Sequence, residues 1–426
     1  MLKTNYVLKN NKKNYDDVIN ILGEGLLHAN PQIGLDQYFL KNKIKIKNSI
    51  INLKKFNNVY LIAVGKAADS MAQFVASKIN LTSGIIVMPS SYKPLFHKKN
   101  IRLFMSGHPL PNSHSLKAGK YMKNFIASTT KNDFIIFLIS GGGSALVTIP
   151  NKISLKEKIN VNQKLIQCGA NINEISCVRK HLSDIKGGKL IEGMSCNGIS
   201  FVLSDVIGDD LSSISSGLTY SDKTTFSDAI KIIKKYKIEK MISKNVISVL
   251  NSGKNGKIPE TPTKSKIKNI IIGNNKKPLV AMRDKSKKLG YSTNVIFNLN
   301  SNVKVAAKKI AKKSKMTTNS CIIFGGETTV NVMGKGKGGR NQELVLHIVR
   351  ELRNYPCIIS SIGTDGVDGN TKFAGAIIST HDVPPFEKFL KNNDSFNFFK
   401  KFGGLVSTGP THTNVNDIGV IIKQTL

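Results

Sequence analysis

In the stretch FLISGGGSALVTIP, Gly141, Gly142, Gly143 and Ser144 stand directly behind the apolar run Asp133 to Ile139 and Ser140. A tight turn needs one or two glycines. Three in a row cost backbone entropy and return no side chain, an arrangement suited to a place where bare backbone must approach something closely. The stretch fits either a plain strand-to-helix turn or a loop whose N–H groups cradle an anion at the start of the next helix.

A second glycine cluster, GETTVNVMGKGKGGRNQE, carries Gly334, Gly336, Gly338 and Gly339. Gly334, Gly336 and Gly339 match G-x-G-x-x-G between an expected strand, Thr328 to Met333, and an expected helix, Gln342 to Leu352, which is the dinucleotide-binding pattern. Lys335, Lys337 and Arg340 give this loop more positive charge than a pyrophosphate cradle needs. The nearest acid for a ribose, Asp365, lies in a TDGVDG loop that suits metal or phosphate work. Two lysines and an arginine fit a triphosphate in transfer better, where charge must be stabilised on several oxygens.

Arginine is scarce: 57 lysines stand against 6 arginines. Where Lys is tolerated almost everywhere, a retained Arg marks a place that needs a planar, forked guanidinium. Arg179 and Arg340 are the two that lie in dense glycine and polar clusters. Carboxylates are also few yet clustered: Asp205, Asp209 and Asp210; Glu327; Asp365 and Asp368; Asn416 and Asp417. Each alone is accounted for by turn or helix capping. Together, beside anion loops, they suggest Mg2+ held by a carboxylate and substrate phosphates, with Asp205, Glu327 and Asp365 as candidate ligands. Lys66 follows Gly65 at the C-terminal end of the expected strand Asn58 to Val64. In SCVRKHLSDIKGGKL, Arg179, Lys180, His181 and Lys186 make either a ligand-facing cluster or a helix with a basic face and a glycine C-cap. No G-x-S-x-G elbow surrounds Ser144 and no Walker A motif occurs, which excludes a serine hydrolase and an ordinary P-loop kinase.

The elements that must hold these residues alternate. Apolar strands at Asn58 to Val64, Gly84 to Met88, Ile101 to Met105, Phe134 to Ser140 and Ser200 to Ser204 interleave with amphipathic helices, which signals a parallel sheet covered on both faces. A Gly-, Pro- and Ser-rich stretch, Asn251 to Lys266, reads as a linker. A second alternation follows it. The expected division is 1–250, a linker at 251–266, and 267–426 of the 426 residues. Longest apolar runs fall far short of the ~18 residues of a membrane span. Five scattered cysteines without a CxxC pair favour a reducing cytoplasm over a disulfide framework. The net charge of +36 invites nucleic acid, but the lysines are spread over nearly every segment and there is no Trp for stacking, so no specific nucleic-acid partner is expected.

The ordered motifs VGKAADSMA, SGHPLPNSHSLKAG, LISGGGSAL, VRKHLSDIKGGKL, LSDVIGDDLSSISSG, GGETTV with GKGKGGRNQE, GTDGVDG and THTNVND resemble the class II glycerate 2-kinases, once labelled hydroxypyruvate reductases. The resemblance covers nearly the whole chain. It implies a Rossmann-like N-terminal domain, a smaller α/β C-terminal domain and an active site in the cleft between them. Because phosphoryl transfer competes with hydrolysis, such a cleft is expected to close over its substrates, with the stretch at 251–266 allowing the motion. It implies transfer of the ATP γ-phosphoryl to the 2-hydroxyl of D-glycerate. Its catalytic lysine, aspartate and arginine fall on Lys66, Asp205 and Arg340. Lys66 would offset phosphoryl charge, Asp205 would accept the hydroxyl proton or hold Mg2+, and Arg340 would clamp phosphate or carboxylate. Ser140 to Ser144, Arg179, Lys180, Glu327, Gly336, Gly338, Gly339, Asp365 and Asn416 become the expected substrate- and nucleotide-binding set. The family's Ser-Gly-Pro-Thr reads Ser216-Gly217-Leu218-Thr219 here. The alternative is an NAD(P)H-dependent hydroxypyruvate reductase, and a homodimer is left open.

Overall fold

The computed structural model describes residues 2–5, 12–316, 320–381 and 383–423. The chain divides into two compact units, one formed by Gln32–Ser204 with Asp209–Ile272, the other by Met1–Pro31, Asp205–Gly208 and Gly273–Leu426. The first 31 residues therefore belong with the C-terminal part of the chain, and not with the strands that follow them.

The Gln32–Ser204 unit is built on a six-stranded sheet. Its spatial order is Lys268–Gly273, Asn197–Leu203, Asp133–Ile139, Asn58–Val64, Ser83–Pro89, Ile101–Ser106. In chain order this is 6-5-4-1-2-3, the doubly wound arrangement. The four pairings from Asn197–Leu203 to Ile101–Ser106 are parallel. All seven residues of Asp133–Ile139 are buried, as expected of a strand covered on both faces. The strand order reverses between Asn58–Val64 and Asp133–Ile139. Ligands of such sheets bind outside the carboxyl ends of the strands at this reversal. Here those ends continue into Gly65–Lys66 and into Ser140–Ser144.

The two ends are stitched together. Ser140 N–H donates to the Val64 carbonyl (2.9 Å), Lys66 N–H to the Gly141 carbonyl (2.9 Å), and Ala67 N–H to the Ser140 hydroxyl (3.0 Å). Gly65 has φ of +130°. A Cβ there would overlap the Ser140 hydroxyl and lie 2.6 Å from its carbonyl oxygen.

Four helices of the same unit share a separate core: Leu155–Gln167, Ile172–His181, Phe226–Lys235 and Lys244–Lys254. Ser154, Asn171 and Thr225 start three of them with reciprocal capping boxes. The expected linker is not a free connector. Residues 251–254 end a helix, Glu260 accepts the Phe226 N–H (3.0 Å), the Pro262 carbonyl accepts the Asp222 N–H (2.9 Å), and Thr261 is buried against Asp222. This stretch packs inside one unit because Asp222 needs partners. Its buried carboxylate takes the Lys180 ammonium at 2.7 Å, with Thr224 and Thr261 completing its shell. Lys180, expected at a ligand, is consumed by this buried ion pair.

The other unit carries a seven-stranded mixed sheet in the order Lys3–Thr4, Leu405–Ser407, Gly375–Ser379, Cys357–Gly363, Asp417–Lys423, Cys321–Gly326, Thr293–Leu299. Only Thr293–Leu299 and Cys321–Gly326 pair parallel; the other pairings described are antiparallel. Val18, Ile21 and Leu22 of helix Lys12–Ala29 and Leu279 and Met282 of helix Lys276–Lys288 join one core, while helices Val303–Met316 and Arg340–Glu351 join a second. Thr328 to Met333, read as a strand, forms only a single bridge between Thr329 and Asn302. No described helix is long and apolar enough to cross a membrane.

Two outcomes follow from this packing. Lys180→Met leaves Asp222 buried without its cation and should cost about 3–5 kcal/mol in urea unfolding, most of it recovered in the Lys180→Met/Asp222→Asn double variant; an unchanged midpoint for Lys180→Met would show the pair to be idle. Gly65→Ala adds both a strained φ and an overlap with Ser140, and should cost about 2–4 kcal/mol by the same measurement, whereas wild-type stability would mean the turn has slack.

Candidate active site

At the strand reversal, Gly142 (φ +88°) precedes a one-turn helix, Gly143–Leu146. Ala145 N–H and Leu146 N–H both turn back to the Gly142 carbonyl. The N–H groups of Gly142, Gly143 and Ser144 enter no hydrogen bond among the described residues, as first-turn donors do until a cap or a ligand meets them. A Cβ on Gly142 would lie 3.1 Å from the His108 ring and 3.4 Å from Lys66 Cγ, so Lys66 borders this turn through both backbone and side chain. The Ser144 hydroxyl pairs with that of Ser216 at 2.7 Å. Beneath the turn, Lys186 is fully buried and donates to the carbonyls of Gly143 (2.9 Å) and Ser215 (3.3 Å), and burial holds its pKa well below the usual lysine value. Ser215 in turn donates to the Ser140 carbonyl at 2.7 Å.

A cavity of about 200 Å³ opens on this turn, lined by His108, Pro111, Gly142, Ser144, Lys158 and Arg179 among others. Arg179 Nε reaches Asn162 Oδ1 at 3.5 Å, and burial lowers its pKa to about 10. Thus Gly142, Ser144 and Arg179, the last two 35 positions apart in sequence, line one space, while Lys66 borders the glycine turn itself. The expected acid Asp210 is a turn cap: its carboxylate accepts from Ser212 and Ser213.

In the mixed-sheet unit the charged groups gather where Cys321–Gly326, Cys357–Gly363 and Asp417–Lys423 meet. Gly326 and Gly363 both pair with Asp417. Arg340, the first residue of its helix, grips Asp417 with both prongs of its fork, Nε to Oδ2 at 2.6 Å and Nη2 to Oδ1 at 3.0 Å, and donates from Nη1 to Glu327 at 3.2 Å. Burial works against its charge, but Asp417 and then Glu327 overrule it and raise the pKa above the ordinary arginine value. These bonds use three of five guanidinium N–H donors, leaving two for a further acceptor. A Cβ on Gly363 would lie 3.2 Å from Asp365 Oδ1 and 3.5 Å from Asp417 Oδ1, which places Asp365 at the same strand end. Asn416, with φ of +68°, gives its carbonyl to Thr364 N–H and Oγ1. Asn414 donates to Asp205 at 3.4 Å.

The glycine loop behaves differently from a pyrophosphate cradle. Gly336 N–H donates to the Asn392 carbonyl (2.8 Å), Lys337 N–H to Asp394 (2.9 Å) and Gly338 N–H to Asn370 (3.0 Å). At the helix N-terminus, where a pyrophosphate would sit, Asp368 accepts from the N–H groups of Asn341 and Gln342, both at 2.9 Å. Burial pushes Asp368 up to about 7, against the pull of those two donors. Gly339 is required because a Cβ would overlap this carboxyl group. With no strand before the loop and a side chain already capping the helix, the dinucleotide reading of Gly334, Gly336 and Gly339 fails. Gly336, Gly338, Gly339, Arg340, Asn370 and Asn393 instead line an open cavity of about 300 Å³.

Asp368 and Asp417 were visible as clustered acids but not as, respectively, the cap of the helix and the partner of the arginine. Lys158 gave a clearer signal: it occupies a position in register with Val161 and Leu165 on the buried face of its helix, where an apolar residue is expected. Among the described residues no three His, Cys, Asp or Glu side chains converge as a metal cluster, so Asp205, Glu327 and Asp365 form no ready-made cage.

Comparison with known proteins places the chain among relatives. Residues 17–251 match a family described as a domain of unknown function, DUF4147, and residues 320–417 match the MOFRL family. The chain is 34% identical over 430 residues to a Pyrococcus horikoshii protein named glycerate 2-kinase, covering 95% of this chain and 96% of that one. It is 36% identical over 398 residues to a Thermotoga maritima D-glycerate 2-kinase, covering 87% and 93%. The crystal structure of glycerate kinase from Thermotoga maritima superposes with a TM-score of 0.81 at 33% identity, covering 96% of this chain and 99% of that one. A Pyrococcus horikoshii OT3 protein gives 0.77 at 33% identity, covering 97% and 99%. On its motifs, its doubly wound sheet and these full-length relatives, the chain belongs to the glycerate 2-kinase family.

Proposed function

We propose that this protein transfers the γ-phosphoryl group of ATP to the 2-hydroxyl of D-glycerate. The bond from the γ-phosphorus to the bridging oxygen breaks, a bond to the glycerate 2-oxygen forms, and the hydroxyl proton leaves, giving 2-phosphoglycerate and ADP. One observation supports the reading most: the strand reversal presents a glycine turn bordered by Lys66 and opening on a basic cavity of about 200 Å³, the scale of a three-carbon acid and small for a nucleotide. The family names supply the reaction.

In this reading Lys66 offsets charge on the phosphoryl group, and the N–H groups of Gly142 to Ser144 receive anionic oxygens. Asp205 takes the hydroxyl proton. Arg340, aligned by Asp417, turns its two remaining N–H donors to phosphate. Mg2+ fits the hard oxygen donors of Asp205, Glu327 and Asp365 only as an ion that arrives with the nucleotide, since one or two carboxylates plus phosphates suffice for it; there it would neutralise phosphate charge. Lys335 and Lys337 add positive charge beside the open cavity of the glycine loop. All five cysteines are free thiols, which supports a reducing, cytoplasmic location.

The test is a panel on the purified protein. D-glycerate with Mg-ATP should release ADP, and enolase added without a mutase should convert the product to phosphoenolpyruvate, which only 2-phosphoglycerate permits. Absence of ADP release together with NADH oxidation by hydroxypyruvate would overturn the kinase in favour of the reductase. Salt-sensitive binding of duplex DNA without turnover would overturn it in favour of a nucleic-acid protein.

A further inference from the structure

Lys158 is the unexplained group of the cavity at the strand reversal. Its side chain is 2% exposed, its ammonium nitrogen has no hydrogen-bond partner among the described residues, and it lines the cavity together with Arg179. A buried cation without a partner costs several kcal/mol, and Met in its place would complete the apolar face begun by Val161 and Leu165. The other fully buried lysine at this site, Lys186, is satisfied by two carbonyls; Lys158 is not. The cavity's remaining walls mix the apolar Leu110, Ala145 and Ile166 with the neutral polar side chains of Thr148, Asn162 and Gln163, and no carboxylate lines it.

We propose that Lys158 and Arg179 together bind the carboxylate of the three-carbon acceptor, so that this cavity selects a small 2-hydroxy acid over a polyol. The proposal rests on the kinase reading for the identity of the acid, but not for the pocket. Two cations lining one small space that no carboxylate of the protein enters match one bound carboxylate: the Arg179 fork supplies directional donors and the Lys158 ammonium a point charge. With the carboxylate there, the acid's 2-hydroxyl stays within the same cavity as Ser144 and the glycine turn. The electrostatics agree. Burial first, and the nearby Arg179 charge second, lower Lys158 to about 7; Asp184 pulls it back up and Lys189 pushes it further down. A carboxylate bound beside it would restore its charge, so binding above pH 7 should take up about one proton per site, as linkage requires.

The experiment uses full-length protein, Lys158→Met and Arg179→Lys. In each variant KM for D-glycerate should rise at least tenfold while KM for ATP stays within twofold. Calorimetry should show D-glycerate binding weakened in parallel, with glycerol, which lacks the carboxylate, binding none of the three. Wild-type affinity for D-glycerate should fall as pH rises from 6 to 8.5, and that dependence should be flattened in Lys158→Met. Thermal melting guards against misfolding: removing a buried unpartnered cation should leave Lys158→Met at or above the wild-type midpoint. Unchanged glycerate KM and binding in both variants would overturn the assignment, and so would a rise confined to the KM for ATP, which would give the pocket to the nucleotide. If wild-type protein binds D-glycerate by calorimetry but never phosphorylates it, the reaction falls and the pocket stands.

Discussion

The two-pronged ion pair between Arg340 and Asp417 fixes the most in the mixed-sheet unit. Asp417 is the first residue of a central strand, in register with Gly326 on one side and Gly363 on the other. Arg340 opens the helix that closes one face of that sheet. Joining the two sets where the helix starts relative to three strand ends, and so where Glu327, Asp365 and Asn416 emerge. Asn341 extends the joint, donating to Asp417 (3.0 Å) and accepting from Ser361 (2.6 Å). Taking such charges out of water is costly, and the arrangement persists because both oxygens of Asp417 are matched by donors. Only a guanidinium satisfies a carboxylate with two parallel bonds while a third donor reaches a second acid. That is why an arginine stands here in a chain that uses lysine nearly everywhere else.

The parallel-sheet unit meets a comparable demand with backbone. Gly65 lets the ends of two parallel strands approach to within one hydroxyl, and Ser140 ties them. Lys186 props the turn from below through two carbonyls. Most of the +36 net charge lies on lysines scattered along the chain, and only a few cations, such as Lys158, Lys180 and Lys186, are buried.

The sheet strands of the first unit were readable because buried parallel strands are continuous apolar runs, and each expected run lies within a residue or a few of an observed strand. Thr328 to Met333 was misread because it has strand-forming residues but no partner strand beyond a single bridge, and its neighbours Gly334, Gly336 and Gly338 are spent on contacts with residues 392 to 396. The stretch at 251–266 has a linker's composition, yet composition does not register that the buried Asp222 draws Thr261 to itself. Lys180 shows the same blindness from the other side, since a basic residue on a helix looks alike whether it meets a ligand or a buried aspartate. Arginine scarcity singled out Arg179 and Arg340, and each lines a cavity. It could name the residue that needs a fork but not its partner, which lies 77 positions away for Arg340.

The central claim is that Arg340 and Asp417 act on phosphoryl transfer as one device, the acid holding the fork and the fork meeting the phosphate. A double-mutant cycle on kcat with Arg340→Lys and Asp417→Asn tests this most directly, with melting curves confirming that each variant is folded. Each single change should lower kcat by roughly a hundredfold, the scale of losing one charge-stabilising donor, and the double variant should be little worse than either one. Multiplying losses, to about ten-thousandfold in the double variant, would show two independent contributions and contradict the account.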